Sequence, residues 1–210
     1  MTEPHWPLFG LRLSCRDVRL RPVREADLPL LASMQPDDYE HDPRVEMLAG
    51  LDFAANRARL VYQNHWRALG TWSPESWQLD FAVEYQGAVV GVQALEAEGF
   101  PTLRTVDSGS WLVPSARGRG VGVAMRMAVL GLAFDHLGAL AAISSARHDN
   151  GASLGVSRRL GYTGNGVSLN ASGRGLVELQ HLRLTAEQWG HGGETTVDGL
   201  AECRPWFGLA

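Results

Sequence analysis

From Val18 to Val23 the chain alternates apolar and basic residues, the period-2 pattern of an edge strand. "READLPLLASM" then changes to helical spacing and opens a short helix near Asp27. The polar, proline-bounded "QPDDYEHDP" is a loop. From Phe53 to Leu69 the residues Ala54, Ala58, Val61, His65 and Leu69 recur on one helical face, which Gly70 ends. Three strand-like runs follow, "WQLDFAVEY", "AVVGVQALEA" and "TVDSGSWLVP". The first two meet at Gln86-Gly87, which predicts an antiparallel meander. The strongest helix starts at Val123: Val123, Met127, Leu130, Phe134 and Leu137 are spaced 4, 3, 4 and 3 apart and form one stripe. Beyond it, "LAAISSAR" predicts a strand, "NGASLGVSRRLG" a short helix closed by Gly161, and "LVELQHLRLT" another strand. The segment after "AEQWG" is glycine-rich and ends in "CRPWFGLA", whose aromatics, taken as exposed, ask for a partner surface.

Composition narrows the class. With 210 residues, 45% hydrophobic and 20% charged, and no internal repeat, the chain suits one globular domain. A net charge of -4 and the lack of a local basic patch argue against a nucleic-acid partner. Cys15 and Cys203 lie at opposite ends, so neither a disulfide framework nor a cysteine metal site is suggested, and a reducing compartment fits. "MTEPHWPLFG" lacks the basic and apolar regions of a leader, and the apolar stretches fall short of a bilayer span or are broken by Arg126. A soluble cytoplasmic protein without membrane or metal is expected.

The candidate chemistry begins at "RGRGVG", Arg117 to Gly122, just ahead of the long helix. A dinucleotide fingerprint requires G-x-G-x-x-G, which Gly118, Gly120 and Gly122 do not supply. A Walker loop requires Lys followed by Ser or Thr, also missing. A third arrangement fits: bare backbone amides and the positive end of a helix beginning near Gly122 hold a pyrophosphate, where a Cβ would block approach. A connection that merely lets strand and helix pack closely explains the same spacing.

Arg117, Gly120 and Gly122 match [Q/R]-x-x-G-x-[G/A], the coenzyme A motif of the GNAT superfamily of N-acyltransferases. "DNGASLGVSRRLGY" resembles that family's N-x-x-S-x-x-x-x-x-x-L-G-[FY] helix through Asn150, Ser153, Leu160, Gly161 and Tyr162. The element order from Val18 to Thr185 is similar too, nearest to the RimJ/RimL-like branch, which acetylates protein N-terminal amines and various small amines. "HWPLF", "VDSGSWL" and "CRPWFG" further resemble an actinobacterial subgroup associated with succinyl-coenzyme A. The resemblance implies an α/β fold: a mixed, mostly antiparallel central sheet with splayed middle strands, flanked by helices. It implies a single domain over residues 1–210, with a core at about 11–190 and a C-terminal extension at 191–210.

It also implies roles. Backbone amides of Arg117, Gly118, Arg119, Gly120, Val121 and Gly122 would hold the pyrophosphate of acetyl- or succinyl-coenzyme A. An amide at Leu112 or Val113 would face the thioester oxygen, Asn150 would touch the pantetheine arm, and Ser153 would protonate the departing thiolate. Read from the residues alone, Asn150 is the N-cap of the helix from Gly151 to Leu160, Ser153 is a local partner of that cap, and Tyr162 is packing. Two base candidates stand out, Asp107 on the strand before the turn and His148 ahead of Asn150, each equally readable as a solvated surface group. If they border the acceptor cleft, Asp37, Asp38, Glu40 and Asp42 would favour a cationic amine. A succinyl donor would require a cation for its carboxylate, with Arg104 and His148 as candidates. The expected function is transfer of an acyl group, acetyl by default, to a primary amine of a small molecule or peptide N-terminus, with a homodimer or higher homo-oligomer open. The rival of another class is a non-catalytic coenzyme A-binding sensor module.

Overall fold

The computed structural model describes residues 5–39, 45–172 and 175–209. Strand β1 (Arg12–Cys15), too short to register as a pattern, turns through Arg16 at φ 55° into the expected β2 (Val18–Pro22). Helix α1 (Leu28–Met34) carries Pro29 in its first turn, where a missing N–H breaks no helical bond. Helix α2 (Phe53–Gly70) is capped by Asp52, whose carboxylate accepts the Ala55 N–H at 2.7 Å. Its buried face, Asn56, Arg57, Leu60, His65 and Ala68, is rotated by about one position from the expected one, and Ala54 is exposed. The rotation follows from polar anchoring. Asn56 donates to the carbonyls of Leu48 and Leu51, and Arg57 to that of Gln35, which turns these two side chains inward.

Strands β3 (Ser76–Tyr85) and β4 (Ala88–Glu98) form the expected hairpin, with Gln86 at φ 52° and Gly87 at φ 80°, positive at both positions as a type I′ turn requires. After a single helical turn, α3 (Phe100–Leu103), the expected third strand divides into β5 (Thr105–Asp107) and β6 (Ser110–Leu112), broken at Ser108–Gly109. Helix α4 (Val121–Gly131) continues as a π-helical turn at Leu132–His136. Then come β7 (Ala141–Arg147), α5 (Gly151–Arg159), β8 (Thr163–Ser172), β9 (Gly175–Thr185) and β10 (Thr196–Asp198). Strand β8 was invisible to hydrophobic patterning, since "TGNGVSLNAS" is mostly Gly, Ser and Asn.

Among the described residues the strands make one sheet in the order β10-β1-β2-β3-β4-β5-β7-β9-β8, with β6 pairing β4 beyond the end of β5. The pairing is antiparallel except for β5 with β7, the two strands that α4 connects by a crossover. Trp77, Leu79, Phe81 and Val83 of β3 belong to the same main core as the buried residues of α4, while Val23, Leu28, Leu31 and Ala82 form a smaller core beneath α1 and α2. The single apolar stripe expected of α4 is not what forms: every residue from Val123 to Gly131 is buried. The far side of α4 is covered by α5 and by the C-terminal segment, where the Thr195 hydroxyl donates to the Met127 carbonyl at 3.3 Å.

The C-terminal aromatics do not await a partner surface. Phe207 and Cys203 are fully buried, β10 pairs with β1, and Trp206 sits edge-on to Trp6 at 4.6 Å. Trp72 Nε1 donates to the Trp206 carbonyl at 3.0 Å, pinning the segment across the end of β3. Among the described residues, no helix is long and apolar enough to cross a membrane, and no group of three or more His, Cys, Asp or Glu could hold a metal ion.

Candidate active site

The glycine turn leaves β6 through one 3-10 turn, Pro114–Ala116, and an extended Arg117. Gly118 (φ 73°) and Gly120 (φ 84°) are left-handed, a region that side-chain-bearing residues reach at a cost of about 1–2 kcal/mol, so conformation alone selects glycine here. Both are exposed, and a Cβ at either would have no atom within 4 Å, so the surface in front of the turn is open. Gly120 caps α4 without a side chain, and the first bonds to its carbonyl come from Val123 and Ala124. The amides of Val121 and Gly122 are therefore left without an intrahelical acceptor. Gly122 has a second role, because a Cβ there would lie 3.4 Å from Val156 of α5. The turn thus offers amides to an anion while holding α4 against α5.

Arg117 does not aim its guanidinium at this surface. Its Nε donates to the Leu112 carbonyl at 3.0 Å, and its two terminal nitrogens grip Asp38 at 2.6 and 2.8 Å, which holds the Asp38 carboxyl below the usual carboxylate range. Arg57 likewise holds Asp37 at 2.6 Å. The acidic loop after α1 is therefore matched to arginines where it is described, and Glu40 and Asp42 lie outside the described residues.

Next to the turn the sheet opens. Strand β5 lies parallel to β7 as far as Asp107 opposite Ile143; past the break at Ser108–Gly109, β6 pairs only with β4. The Val113 N–H donates to the Val90 carbonyl at 2.9 Å, so that amide is engaged. Antiparallel alternation then directs the Leu112 N–H to the opposite edge, into the gap toward β7. Gly91 makes this approach possible, since a Cβ on it would come 2.2 Å from the Trp111 carbonyl. Across the gap, the Asn150 side chain caps α5 by accepting the Ser153 N–H at 3.0 Å, and Ser153 lies half-buried in that helix's first turn.

Behind the gap lies Arg126 of α4, 4% exposed. It donates to the hydroxyls of Ser157 at 3.1 Å, Ser144 at 3.3 Å and Ser110 at 3.5 Å, and burial lowers its pKa. Among the described residues it makes no ion pair, and its Nε is buried without a hydrogen-bond partner. Tyr162 is packed as expected, its phenol pushed up to about 12 by burial.

On the other face of the sheet, beneath α1 and α2, is a cavity of about 320 Å³. Asp80 of β3 and Glu96 of β4 line it, and Asp107 of β5 stands directly opposite Glu96. Burial, reinforced by Asp107 and Asp80, pushes the Glu96 carboxyl up to about 7. Burial also raises Asp80 and Asp107, the latter despite a 2.6 Å bond from the Ser108 N–H to its carboxylate. His65, 5% exposed, faces the same cavity, with its pKa lowered by burial.

The other base candidate stands apart. His148 is exposed, five residues beyond Ile143, or about 16 Å along the strand from the level of Asp107. Arg104 lies three residues before Asp107 in the other direction, donating to the Leu137 carbonyl at 3.1 Å over the Phe100 ring. Glu96, Asp80, His65 and Arg126 were missed by sequence reasoning. Their signal was faint: a carboxylate on the inward phase of an alternating strand and an arginine inside an apolar helical stripe.

Residues 17–163 match the model of a family described as the acetyltransferase (GNAT) domain. Among solved structures, RimJ from Mycobacterium smegmatis, in complex with CoA-disulfide, superposes with a TM-score of 0.67 at 20% identity, over 94% of this chain and 96% of that one. An acetyltransferase (GNAT family) from Bacillus anthracis gives 0.65 at 14% identity, over 84% and 99%. RimL, the ribosomal L7/L12 alpha-N-protein acetyltransferase in its apo form, gives 0.61 at 18%, over 80% and 90%. At these identities the likeness is one of fold.

Proposed function

The chain belongs to the GNAT acetyltransferase family, and from that premise we propose that it is an acyl-coenzyme A-dependent N-acyltransferase, with acetyl as its ordinary acyl group and a primary amine as acceptor. One observation carries the reading: strands β6 and β7 part beside the glycine turn, with the Leu112 amide on the open edge and carboxylates at the closed end of the gap. RimL is named for acting on the amino terminus of a ribosomal protein. An amine of that kind, or one on a small molecule, is the acceptor proposed for this chain.

The thioester of the donor supplies an activated acyl carbon. The amides from Arg117 to Gly122 and the N-terminal end of α4 hold its pyrophosphate, and the left-handed glycines keep side chains out of that surface. The Leu112 N–H stabilises negative charge on the acyl oxygen. Asn150 fixes the first turn of α5 against the pantetheine arm, so that Ser153 can return a proton to the sulfur. Glu96 takes the acceptor's proton. Two carboxyl groups directly opposite on neighbouring strands do not both ionise readily, so Glu96 and Asp107 titrate as a pair, with Glu96 poised near neutrality.

A second reading, with succinyl as the acyl group, is favoured by Arg126: a buried arginine that makes no ion pair among the described residues, behind the gap, is suited to a carboxylate at the end of an acyl chain. In this reading Arg126 takes the place of Arg104 and His148, which flank the site from opposite ends. Both readings are tested by offering the protein an equimolar mixture of acetyl- and succinyl-coenzyme A with an amine and weighing the products. Acylated amine is expected, mainly acetylated on the first reading and succinylated by tenfold or more on the second. Unmodified amine with both donors would contradict the function itself.

A further inference from the structure

Of the four carboxylates expected around the acceptor, Asp37 and Asp38 are held by Arg57 and Arg117, and Glu40 and Asp42 lie outside the described residues. Those that line the cavity are different. The register of β3 and β4 sets Gln78 opposite Glu96 and Asp80 opposite Ala94, so Asp80 is one diagonal step from Glu96 on the same face of the sheet. Among the described residues, neither Asp80 nor Glu96 forms an ion pair. Asp80 accepts from the Gln78 amide at 3.0 Å, a neutral donor, and burial raises its carboxyl above the usual range, so a cation brought beside it would favour the ionised form.

Opposite them, from α2, His65 is more than nine-tenths buried and lines the cavity, and its ring has no hydrogen-bond partner among the described residues. Burial lowers its pKa, so at neutral pH it presents an imidazole able to accept an N–H bond. The other charged and titratable groups facing this space are Arg67, exposed at the rim and donating to Asn64 at 3.1 Å, and the Tyr39 hydroxyl. A single ammonium brought to Glu96 and Asp107 for acylation would leave Asp80 and His65 unmatched.

Resting on the acyltransferase reading, we propose that the acceptor is a small molecule bearing two amino groups: one is presented to Glu96 and Asp107, and the other, held as an ammonium by Asp80 and His65, sets specificity. The cavity suits this size, since about 320 Å³ holds a compact aliphatic diamine and not a folded chain. In this account Asp80 is a specificity residue. It takes no proton from the reacting nitrogen, but its carboxylate and the His65 ring fix which end of the diamine enters the gap.

The test compares 1,4-diaminobutane with 1-aminopentane, which has the same number of heavy atoms and one charge fewer, using acetyl-coenzyme A as donor. The wild-type protein is expected to prefer the diamine by at least tenfold in kcat/KM, and in Asp80→Asn that ratio should fall to near one. Equal use of the two amines by the wild type overturns the proposal with no variant needed, as does a preference that survives Asp80→Asn. Calorimetric titration of both amines into the coenzyme A-bound protein gives a readout independent of turnover. Tighter diamine binding that Asp80 controls supports the proposal, and equal binding overturns it. Absence of turnover alongside selective diamine binding would instead overturn the acyltransferase reading.

Discussion

The most informative single residue is Glu96. Its carboxyl lies between Asp107 and Asp80 in a partly desolvated site, and every one of those influences favours the protonated form, which is why it titrates near 7. A base works only when ionised, so kcat/KM should rise about tenfold per pH unit below about 7 and level off above it. Glu96→Gln should erase that limb and lower the rate by roughly 10²–10⁴-fold, the usual range for removing a general base. An unchanged pH profile in the variant would move the role elsewhere. The same shift has a sign for stability: Glu96's contribution is fully present below its unfolded value of 4.5 and is lost as pH rises through about 7. None of this was legible in the sequence, where Glu96 is one acid in "ALEAEGF". Its importance depends on which face of β4 is covered by α1 and α2. Gly118, Gly120 and Asn150 could be read early because turns and caps are local chemistry, fixed by a few neighbouring residues.

Among the elements, β6 is the one whose displacement matters most. Three residues long, it is held to β4 across Gly91, where any side chain would strike the Trp111 carbonyl at 2.2 Å and Leu112 Cδ2 at 2.9 Å. Gly91→Ala should cost about 1–3 kcal/mol as an overpacked contact. Because it moves the Leu112 amide, it should also lower kcat by roughly 10²-fold, with coenzyme A affinity at the turn nearly kept. Melting temperature, single-turnover rate and calorimetry on the one variant check this; full activity would remove Leu112 from the site. Hydrophobic patterning located β3, β4 and β7 because each is long enough to express its period, whereas α5 was marked by its Asn150 cap and Gly161 stop. It could not divide β5 from β6, since "TVDSGSWLVP" has no feature that marks where a strand leaves its neighbour. It misjudged α4 and the C-terminal aromatics together and for one reason: the segment that covers the helix comes from the far end of the chain.

At the scale of the whole molecule, the two ends of the chain close over β3 while the middle of the sheet opens, so aromatic packing and the reaction gap occupy different regions. The charge is also arranged in an unusual way: none of the 19 basic residues is lysine. Arginine stays protonated and is no nucleophile at neutral pH, so no side-chain amine of the protein competes with the acceptor. Coenzyme A release above the level seen without added amine can therefore be read as transfer to that amine. The direct measurement is the amine-dependent release of free thiol from acetyl-coenzyme A by the intact protein, made alongside its melting temperature with and without coenzyme A. Thermal stabilisation by coenzyme A is expected, together with thiol release that saturates with amine and matches the acylated product mole for mole. Stabilisation with no thiol release above the buffer rate, across mono- and diamines and both acyl donors, would contradict the acyltransferase reading and make the protein a coenzyme A sensor.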